Sequence, residues 1–407
     1  MFLAIRIARR YFFSKKKKTF ISLIANISML GVGVGAMALV IVLSVFNGLE
    51  DFNRQLFRTF DADLKISPRQ GKTFSLNGEV FQQVRRVPGV LTVAQVLEEN
   101  ALLQYRGRRD VVTIRGVDDN FATRPQMDTA LVEGSLTLQA GTEPFAVLGY
   151  GVAQSLGVIV EDDLAPLEVW YPRRDANLTL PTDDAFVREA IRPGGVFSIE
   201  QQYDDNYVIV PLSFAQRLFE AGNRRTALDV RLKPEADPQT VKADLMAIMG
   251  TNFQVQTPDE QHITLLRAIQ IEKFIVFVTL TLIIAMASVN IYFSLSMLAL
   301  DKQDDVRVLY AMGGTPALVR AIFLTEGALV AFTGAIVGLA LGVLVCWLQQ
   351  EFGLVKMGLV TSLVDAYPVK MQAADFVLTG LALIGITLLA SYGPAVQAAR
   401  RGIDRRN

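Results

Sequence analysis

Cysteine and histidine are nearly missing from this sequence of 407 residues, which contains one of each. The single cysteine, Cys346, cannot form a disulfide within the chain. The single histidine, His262, cannot build a zinc site or a conventional catalytic triad by itself. The phosphate-binding pattern G-x-x-x-x-G-K-[ST] is absent as well. We therefore expect no metal site, no cofactor and no enzyme activity in this chain, and any ATP must be hydrolysed by another protein.

Net charge is also missing, because 40 basic residues balance 40 acidic ones. A neutral chain gives no reason to expect binding to nucleic acid. Hydrophobic residues make up 51% of the sequence, and the mean hydropathy is +0.33. This composition is too apolar for an ordinary soluble protein and too polar for a protein that lies wholly within a bilayer. We expect a membrane protein with a large domain outside the membrane.

Four apolar runs are long enough to cross a bilayer as helices. The first has no charged residue and is too long for the apolar core of a signal peptide. The last is closed by Gly393-Pro394. The predicted division is a basic N-terminus (1–18), transmembrane helix 1 (19–49), a large domain (50–270), transmembrane helix 2 (271–300), a short polar helix (301–317), transmembrane helix 3 (318–350), a loop (351–375), transmembrane helix 4 (376–396) and a tail (397–407).

Basic residues flank both ends of the membrane region. Lys15–Lys18 precede the first span, and Arg400-Arg401 follow the last. Because basic flanks tend to stay in the cytoplasm, both flanks predict cytoplasmic termini. Four spans then place residues 50–270 and 351–375 outside the cell membrane and residues 301–317 inside.

Residues 50–270 are predicted to form an α+β domain of one or two lobes. The alternating runs that predict strands are Asp63–Ser67, Leu91–Val96, Asp110–Gly116, Tyr207–Val210 and Ala227–Leu232. The runs that predict helices are Glu79–Arg86, Gly151–Leu156, Ser213–Ala221 and Pro238–Met249. The polar, proline-containing stretch Tyr171–Gly195 predicts a protruding loop, which is either a tolerated insertion or a contact site for a partner.

The polar stretch between the second and third spans has the pattern of a small surface helix. Val306, Leu309, Tyr310 and Gly313 share one apolar or small face, and Gly313-Gly314 ends the helix. Asp304, Asp305 and Arg307 are the charged residues that lie off that face. Two interpretations remain open: a helix whose apolar face docks on a cytoplasmic partner, or an amphipathic connector on the lipid surface.

Two features inside the spans depart from plain apolar sequence. Gly31, Gly33 and Gly35 follow no strand, so they predict close helix contact in preference to a nucleotide loop. Glu326 lies near the inner end of the third span. An acid there is either functional or paired with a base such as Arg320.

Several stretches resemble one family. Ser28–Gly35 and Val42–Glu50 are similar to the first span of the lipoprotein-releasing permeases, and Glu272-Lys273 before the second span also fits. The remaining similar stretches are Gly149–Gly157, Val208–Leu212, Lys302–Gly314, Phe323–Gly327 and Pro394–Arg400. One span, a large outer domain and three further spans resemble the type VII ABC-transporter permeases, the MacB/FtsX superfamily, over nearly the whole chain.

The resemblance implies a subunit of a machine in the inner membrane of a diderm bacterium. Two permease subunits, identical or sister chains, would pair with two cytoplasmic ATPases that hold ATP and Mg²⁺. The coupling residues implied by the resemblance are Lys302, Asp304, Asp305, Val306, Arg307, Leu309, Tyr310, Met312, Gly313 and Gly314. They would transmit force to the outer domain.

The implied substrate is a triacylated lipoprotein in the outer leaflet, which is handed to a soluble periplasmic carrier. The loop Tyr171–Gly195, with Arg173 and Arg174, would engage that carrier. Each buried CH₂ contributes about 0.8 kcal/mol, so acyl chains must pass between apolar cavities. We expect a cavity between spans one and two lined by Met37, Val40, Ile41, Val45, Phe274, Phe277 and Val278. The alternative for each residue is ordinary contact with lipid.

Three other functions remain as alternatives. The chain could be an efflux permease for small amphiphiles or peptides, although such macrolide pumps usually carry a fused ATPase domain. It could be an FtsX-like signal transducer that controls cell-wall hydrolases. The outer domain could be an enzyme, but its acidic pairs are interpreted as solvated turns and no base or metal-ligand set accompanies them. Those pairs are Asp118-Asp119, Asp162-Asp163, Asp183-Asp184 and Asp204-Asp205.

Overall fold

The computed structural model describes residues 2–12, 20–76, 78–121, 127, 129–160, 165–173, 185–356 and 366–401. The chain divides into two compact units. The membrane unit comprises Met1–Phe52, Leu265–Lys356 and Ala366–Asn407, and the sheet unit comprises Asn53–Thr264.

The helices, numbered along the chain, are α1 (Phe2–Phe12), α2 (Phe20–Phe60), α3 (Gly78–Arg85), α4 (Tyr150–Leu156), α5 (Gln201–Asp204), α6 (Leu212–Leu218), α7 (Pro238–Met249), α8 (Pro258–Gln261), α9 (Ile263–Asp301), α10 (Gln303–Ala311), α11 (Pro316–Phe352) and α12 (Ala373–Arg401). The strands are β1 (Leu64–Pro68), β2 (Phe74–Ser75), β3 (Val90–Tyr105), β4 (Arg108–Val117), β5 (Leu131–Gly134), β6 (Gln139–Ala140), β7 (Glu143–Gly149), β8 (Leu167–Pro172), β9 (Phe186–Phe197), β10 (Tyr207–Pro211), β11 (Arg224–Arg225), β12 (Ala227–Leu232) and β13 (Phe253–Gln256).

Four helices in the described part of the chain, α2, α9, α11 and α12, are long and apolar enough to cross a membrane. They match the four predicted spans; α2 extends past the predicted end, and α9, α11 and α12 extend past both predicted boundaries. Gly393-Pro394 does not end the helix, since α12 continues through Pro394 to Arg401, and the boundary of the fourth span stays a prediction. A proline removes one backbone donor, and neighbouring helices in a bundle can compensate. Here Ala395, Ala398 and Ala399 are buried in the bundle, so packing holds the last turns of α12.

Close backbone contact joins α2 to α11. A Cβ atom built on Gly338 would lie 2.0 Å from the carbonyl oxygen of Gly33, and one on Gly334 would lie 2.3 Å from that of Met29. Only glycine tolerates such an approach. The structure therefore confirms close helix contact for the first-span glycines.

The described residues of the sheet unit form a mixed sheet of 11 strands and a small two-stranded sheet in which β2 pairs with β11. The main path of the larger sheet runs β13-β1-β12-β3-β4-β10-β7-β9-β5, with β8 paired to β3 and β9. Most neighbours are antiparallel, whereas β4–β10 and β7–β9 are parallel. Two hydrophobic clusters lie in the unit, one around Phe214 and Leu148 and one around Leu64 and Leu245. The α+β prediction is confirmed.

The predicted loop Tyr171–Gly195 is largely replaced by a hairpin. Strand β9 pairs antiparallel with β8, from Leu167 opposite Ile191 to Pro172 opposite Phe186. Pro193, Gly194 and Gly195 lie in the strand despite their low strand propensity, because β7 pairs along β9 with a register shift there. Residues 174–184 lie outside the described residues.

Candidate coupling site

Helix α10 lies between two points at which the helical conformation is interrupted. Lys302 separates it from α9, and Gly313 ends it with a φ of 90°, a conformation that favours glycine. The Gly314 amide donates to the Leu309 carbonyl at 2.8 Å. Thr315 caps α11 by accepting from the Leu318 amide, and Pro316 occupies its first turn. As the sequence predicted, a short helix stands apart from both spans.

The apolar face of α10 packs on the chain's own helices. Val306 is 4% exposed and lies in a cluster with Val319 and Phe323 of α11 and Ala395 of α12. The Tyr310 hydroxyl donates to the Ala399 carbonyl at 2.9 Å. Leu309 packs on the neighbouring cluster around Ile322, Ala4 and Ala8. The chain's own helices thus cover Val306 and partly cover Leu309 and Tyr310, and the coupling role of these residues stays a prediction.

The opposite side of α10 is exposed. Met312 is 79% exposed and Val308 is 59% exposed. An Arg307–Asp304 ion pair of 2.8 Å lies on the same helix. We call Asp304, Arg307, Val308 and Met312 the outer face of α10. Two exposed apolar side chains beside charged ones are suited to a protein contact. Sequence reasoning missed Val308, although it lies two residues, and therefore about 200°, from Val306 on the helix.

Helix α1 contacts the start of α10. The Tyr11 hydroxyl donates to Asp305 Oδ2 at 3.3 Å, and the Lys302 ammonium lies 5.9 Å from the Tyr11 ring centroid. Lys302 also pairs with Asp301 at 2.9 Å. The sequence analysis did not predict α1, because its basic residues were assigned to a flank. The spacing of Ala4, Ala8 and Tyr11 could have indicated the helix.

Glu326 is buried at 6% exposure, whereas Arg320 is exposed. The base whose charge acts on Glu326 is Lys302, at the start of α10. The interpretation that Glu326 pairs with Arg320 is therefore replaced by proximity to Lys302. An acid of the third span thus lies near the break that begins α10.

A buried polar cluster joins the other ends of three spans. Lys273 of α9 donates to Asn47 Oδ1 of α2 at 2.6 Å and pairs with Asp375 Oδ1 of α12 at 3.3 Å. Asn47 in turn donates to the second oxygen of Asp375 and to the Lys370 carbonyl. We call Asn47, Lys273 and Asp375 the three-helix hub. Buried polar groups that satisfy one another fix helix positions. Sequence reasoning noted Asn47 and Lys273 as family-like residues and missed Asp375.

The seven predicted cavity residues occupy different environments. Val40 is 1% exposed and lies against Gly342 of α11. Met37 lines an apolar cavity of about 270 Å³ between α2 and α11. Ile41, Val45 and Phe277 are half-buried, and Phe277 packs on the core of the membrane unit; Phe274 and Val278 are 66% and 47% exposed. That these seven residues line one lipid cavity between spans one and two stays a prediction.

A second apolar cavity, of about 300 Å³, lies between α11 and α12. Its lining includes Phe332, Ile336, Leu383 and Leu388. Sequence reasoning did not single out these residues, since uniform apolar sequence does not distinguish cavity from packing. Both cavities are chemically suited to hydrocarbon.

The sheet unit holds a polar pocket of about 340 Å³ that includes the only histidine. His262 Nε2 lies 2.6 Å from Asp61 Oδ2, and the Tyr203 hydroxyl donates to the same oxygen at 3.1 Å. Burial and the Asp61 charge raise the pKa of Tyr203. Arg115, which is 2% exposed, pairs with Asp229 at 2.6 Å. These contacts join the end of α2 to the segment that begins α9.

The acidic pairs are only partly the solvated turns that were expected. Asp204 is 2% exposed and accepts from the Ser198 hydroxyl and the Ile199 amide, both at 2.8 Å. Burial raises the pKa of Asp204 to about 6. Its role in the fold is local, because its carboxylate holds Ser198 and Ile199, which lie just before α5. Among the described residues, no group of three or more His, Cys, Asp or Glu side chains could hold a metal ion.

Only one of the two candidate carrier-binding arginines lies among the described residues. Arg173 is exposed, and its amide donates to the Ala185 carbonyl at 2.9 Å at the end of the β8–β9 hairpin. Arg174 lies outside the described residues. Their role stays a prediction.

Family models cover most of the chain. The MacB-like periplasmic core domain matches residues 26–248, and the FtsX-like permease C-terminal model matches residues 277–403. The "Lipoprotein-releasing system transmembrane protein LolC" of Neisseria meningitidis serogroup B is 26% identical, covering 97% of this chain and 96% of that one. The LolC protein of Xylella fastidiosa is 26% identical over 98% and 97%. The LolE protein of Haemophilus influenzae is 23% identical over 97% and 96%.

Proposed function

This chain belongs to the LolC/LolE-like branch of the MacB/FtsX permease superfamily, and from that premise we propose that it is the permease subunit of an ABC transporter that releases lipoproteins from the inner membrane. The observation that carries the proposal is similarity over 97% of the chain to a relative named for lipoprotein release. A multi-pass inner membrane protein with a periplasmic domain fits this assignment. The efflux and FtsX-like signalling alternatives are not favoured.

The partners are proposed in more detail. Two cytoplasmic ATPase subunits bind ATP and Mg²⁺, and a second permease, either another copy or a sister chain, completes the membrane part. Both termini and α10 lie in the cytoplasm, as the basic flanks indicate. The substrate is a triacylated lipoprotein from the outer leaflet, and a soluble periplasmic carrier receives it.

Force enters through the outer face of α10 in this proposal. Val308 and Met312 are available for the ATPase, whereas Val306 and Tyr310 hold α10 to α11 and α12. A push on α10 is thereby transmitted to two spans. At their other ends, the three-helix hub joins α12 to α2 and α9. Rigid, packed contacts of this kind carry displacement between distant ends of a bundle.

Acyl chains need an apolar path throughout. The exposed apolar side of α9, with Phe274, Val278, Leu282 and Met286, supplies such a surface. We propose that a second permease faces this side and completes the lipid cavity.

Arg173 and Arg174 would contact the carrier, so Arg173→Glu should lower carrier loading without lowering ATP hydrolysis. Equal carrier loading by the Arg173→Glu variant and the unaltered chain would remove that role.

The function is tested by reconstituting the purified chain with its ATPase and sister permease, if one is required, in proteoliposomes that contain a triacylated lipoprotein. We expect ATP-dependent transfer of that lipoprotein to soluble carrier. The control substrate is the same protein without acyl chains, which should show no ATP-dependent transfer. Absence of transfer, with an ATPase that hydrolyses ATP normally, would contradict the proposed function.

Met312→Glu is expected to lower lipoprotein transfer about tenfold, the size of a modest interface hot spot. Met312 is 79% exposed, so the membrane unit should keep its thermal stability. Met312→Leu retains the apolar contact and serves as the control. The measurement is transfer per ATP hydrolysed, and unchanged coupling in the Glu variant would remove Met312 from the docking surface.

A further inference from the structure

The inner face of α1 is fixed to the third span. Ala4 and Ala8 are 1% and 0% exposed and form a buried cluster with Ile322 of α11. Two alanines one turn apart allow the helix backbone to approach α11 closely. The rotation of α1 about its own axis is thereby set, and so is the direction of its other side chains.

The opposite face of α1 is basic. Arg6 and Arg10 are exposed and lie about 180° from the buried alanines on the helix. Leu3 and Ile5 are 55% and 44% exposed at the flanks of the basic stripe. Residues 1–18 contain no acidic residue, and Lys15–Lys18 add four positive charges just after α1. A basic stripe bordered by apolar side chains, on a helix beside a membrane span, matches the surface of an anionic bilayer.

The last turn of α1 reaches the coupling site. Tyr11 donates to Asp305, and its ring lies 5.9 Å from the Lys302 ammonium. Asp305 is in the first turn of α10, and Lys302 is the residue at which α9 gives way to α10. The position of α1 is therefore linked by direct contacts to the start of α10.

We propose that α1 is a binding site for acidic phospholipid headgroups, with Arg6 and Arg10 as its phosphate ligands, and that the bound lipid steadies α10 through Tyr11. The first half depends only on α1 and the membrane. The second half, a dependence of coupling on anionic lipid, rests on the proposed function.

Hydrogen exchange tests the lipid site in the full chain without its ATPase. The purified permease is placed in nanodiscs of phosphatidylcholine alone or of phosphatidylcholine mixed with phosphatidylglycerol. We expect the amides of α1 to exchange more slowly in the anionic discs, by about fivefold for each arginine engaged. High salt should reduce the difference. Equal exchange in both discs would overturn the proposal.

Three variants separate the basic stripe from general charge effects. Arg6→Gln/Arg10→Gln should abolish the lipid-dependent protection, and Arg6→Lys/Arg10→Lys should retain most of it. Arg85→Gln/Arg86→Gln removes the same charge from exposed positions of the sheet unit and should change nothing. Protection that persists in the Arg6→Gln/Arg10→Gln variant would also overturn the site.

Tyr11→Phe tests the link to α10. It should keep the lipid-dependent protection of α1 while the ATPase complex loses its dependence on phosphatidylglycerol for transfer per ATP. Lipid-dependent protection together with coupling that is equal in both lipids for the unaltered chain would contradict the link and leave the lipid site standing. Because the exchange measurement needs no ATPase, failure of this proposal and failure of the proposed function give different results.

Discussion

Val306→Asp is expected to abolish lipoprotein transfer and to release α10 from the bundle. Val306 is 4% exposed among Val319, Phe323 and the alanines of α12. An uncompensated buried carboxylate costs about 3–5 kcal/mol, which exceeds what one short helix can recover from its remaining contacts. The measurement is thermal unfolding of the purified chain together with the transfer assay.

Val308→Asp is the matched control, because it makes the same change two residues away on the outer face. Val308 is 59% exposed, so this variant should unfold like the unaltered chain and lose only coupling. Equal unfolding temperatures for the Val306→Asp variant and the unaltered chain would show that α10 is not held by its apolar face.

Asp375→Ala is expected to have the second largest effect, because it leaves Lys273 without its carboxylate partner in the three-helix hub. Lys273 pairs with Asp375 at 3.3 Å, and the two side chains are 23% and 8% exposed. The loss should be roughly 2 kcal/mol, below that of a fully buried pair because Lys273 keeps some contact with solvent. Transfer should fall at least as steeply as stability, since α12 loses the contacts of Asp375 with Asn47 of α2 and Lys273 of α9.

The double variant Lys273→Leu/Asp375→Leu distinguishes the pair from its separate members. Replacing both charges by apolar groups removes the unpaired ammonium, so most of the lost stability should return. A double-mutant cycle on unfolding temperature measures the coupling between the two residues. Additive effects of the two single changes would mean that the ion pair does not join the spans.

The membrane helices were predictable because length and hydropathy are local properties. Uncharged runs such as residues 19–49 satisfy the requirements of a spanning helix whatever their neighbours are. The breaks around α10 were predictable for the same reason, since Gly313 and Pro316 act on their own backbone. The glycines of α2 indicated close contact, but not which helices they contact: Gly33 faces α11, whereas Gly31 and Gly35 face α9.

The packing partner of the apolar face of α10 was not predictable, because an apolar stripe in a sequence does not indicate which residues will cover it. Val306 packs on residues of α12 that lie about ninety positions later in the chain. Asp375 was missed for a similar reason, since its partner Asn47 lies 328 positions away in sequence. Such contacts depend on how helices assemble, which local patterns do not record.

Strand β9 was not predicted, because its residues are typical of a loop. The loop prediction followed from the polar, proline-containing character of Tyr171–Gly195, and Pro193, Gly194 and Gly195 at its end are typical of turns. Pairing of this segment with β7 and, at Gly195, with β5 overrides that local preference.

The central claim requires α10 and the sheet unit to lie on opposite sides of the membrane, and labelling of two single cysteines measures this directly. In a Cys346→Ser background, Met312→Cys and Val111→Cys place thiols at positions that are 79% and 64% exposed. With a membrane-impermeant maleimide, we expect Val111→Cys to react in spheroplasts and Met312→Cys to react only in inverted membrane vesicles. The reverse pattern, or reaction of both positions from the same side, would contradict the claim that an inside helix drives an outside domain.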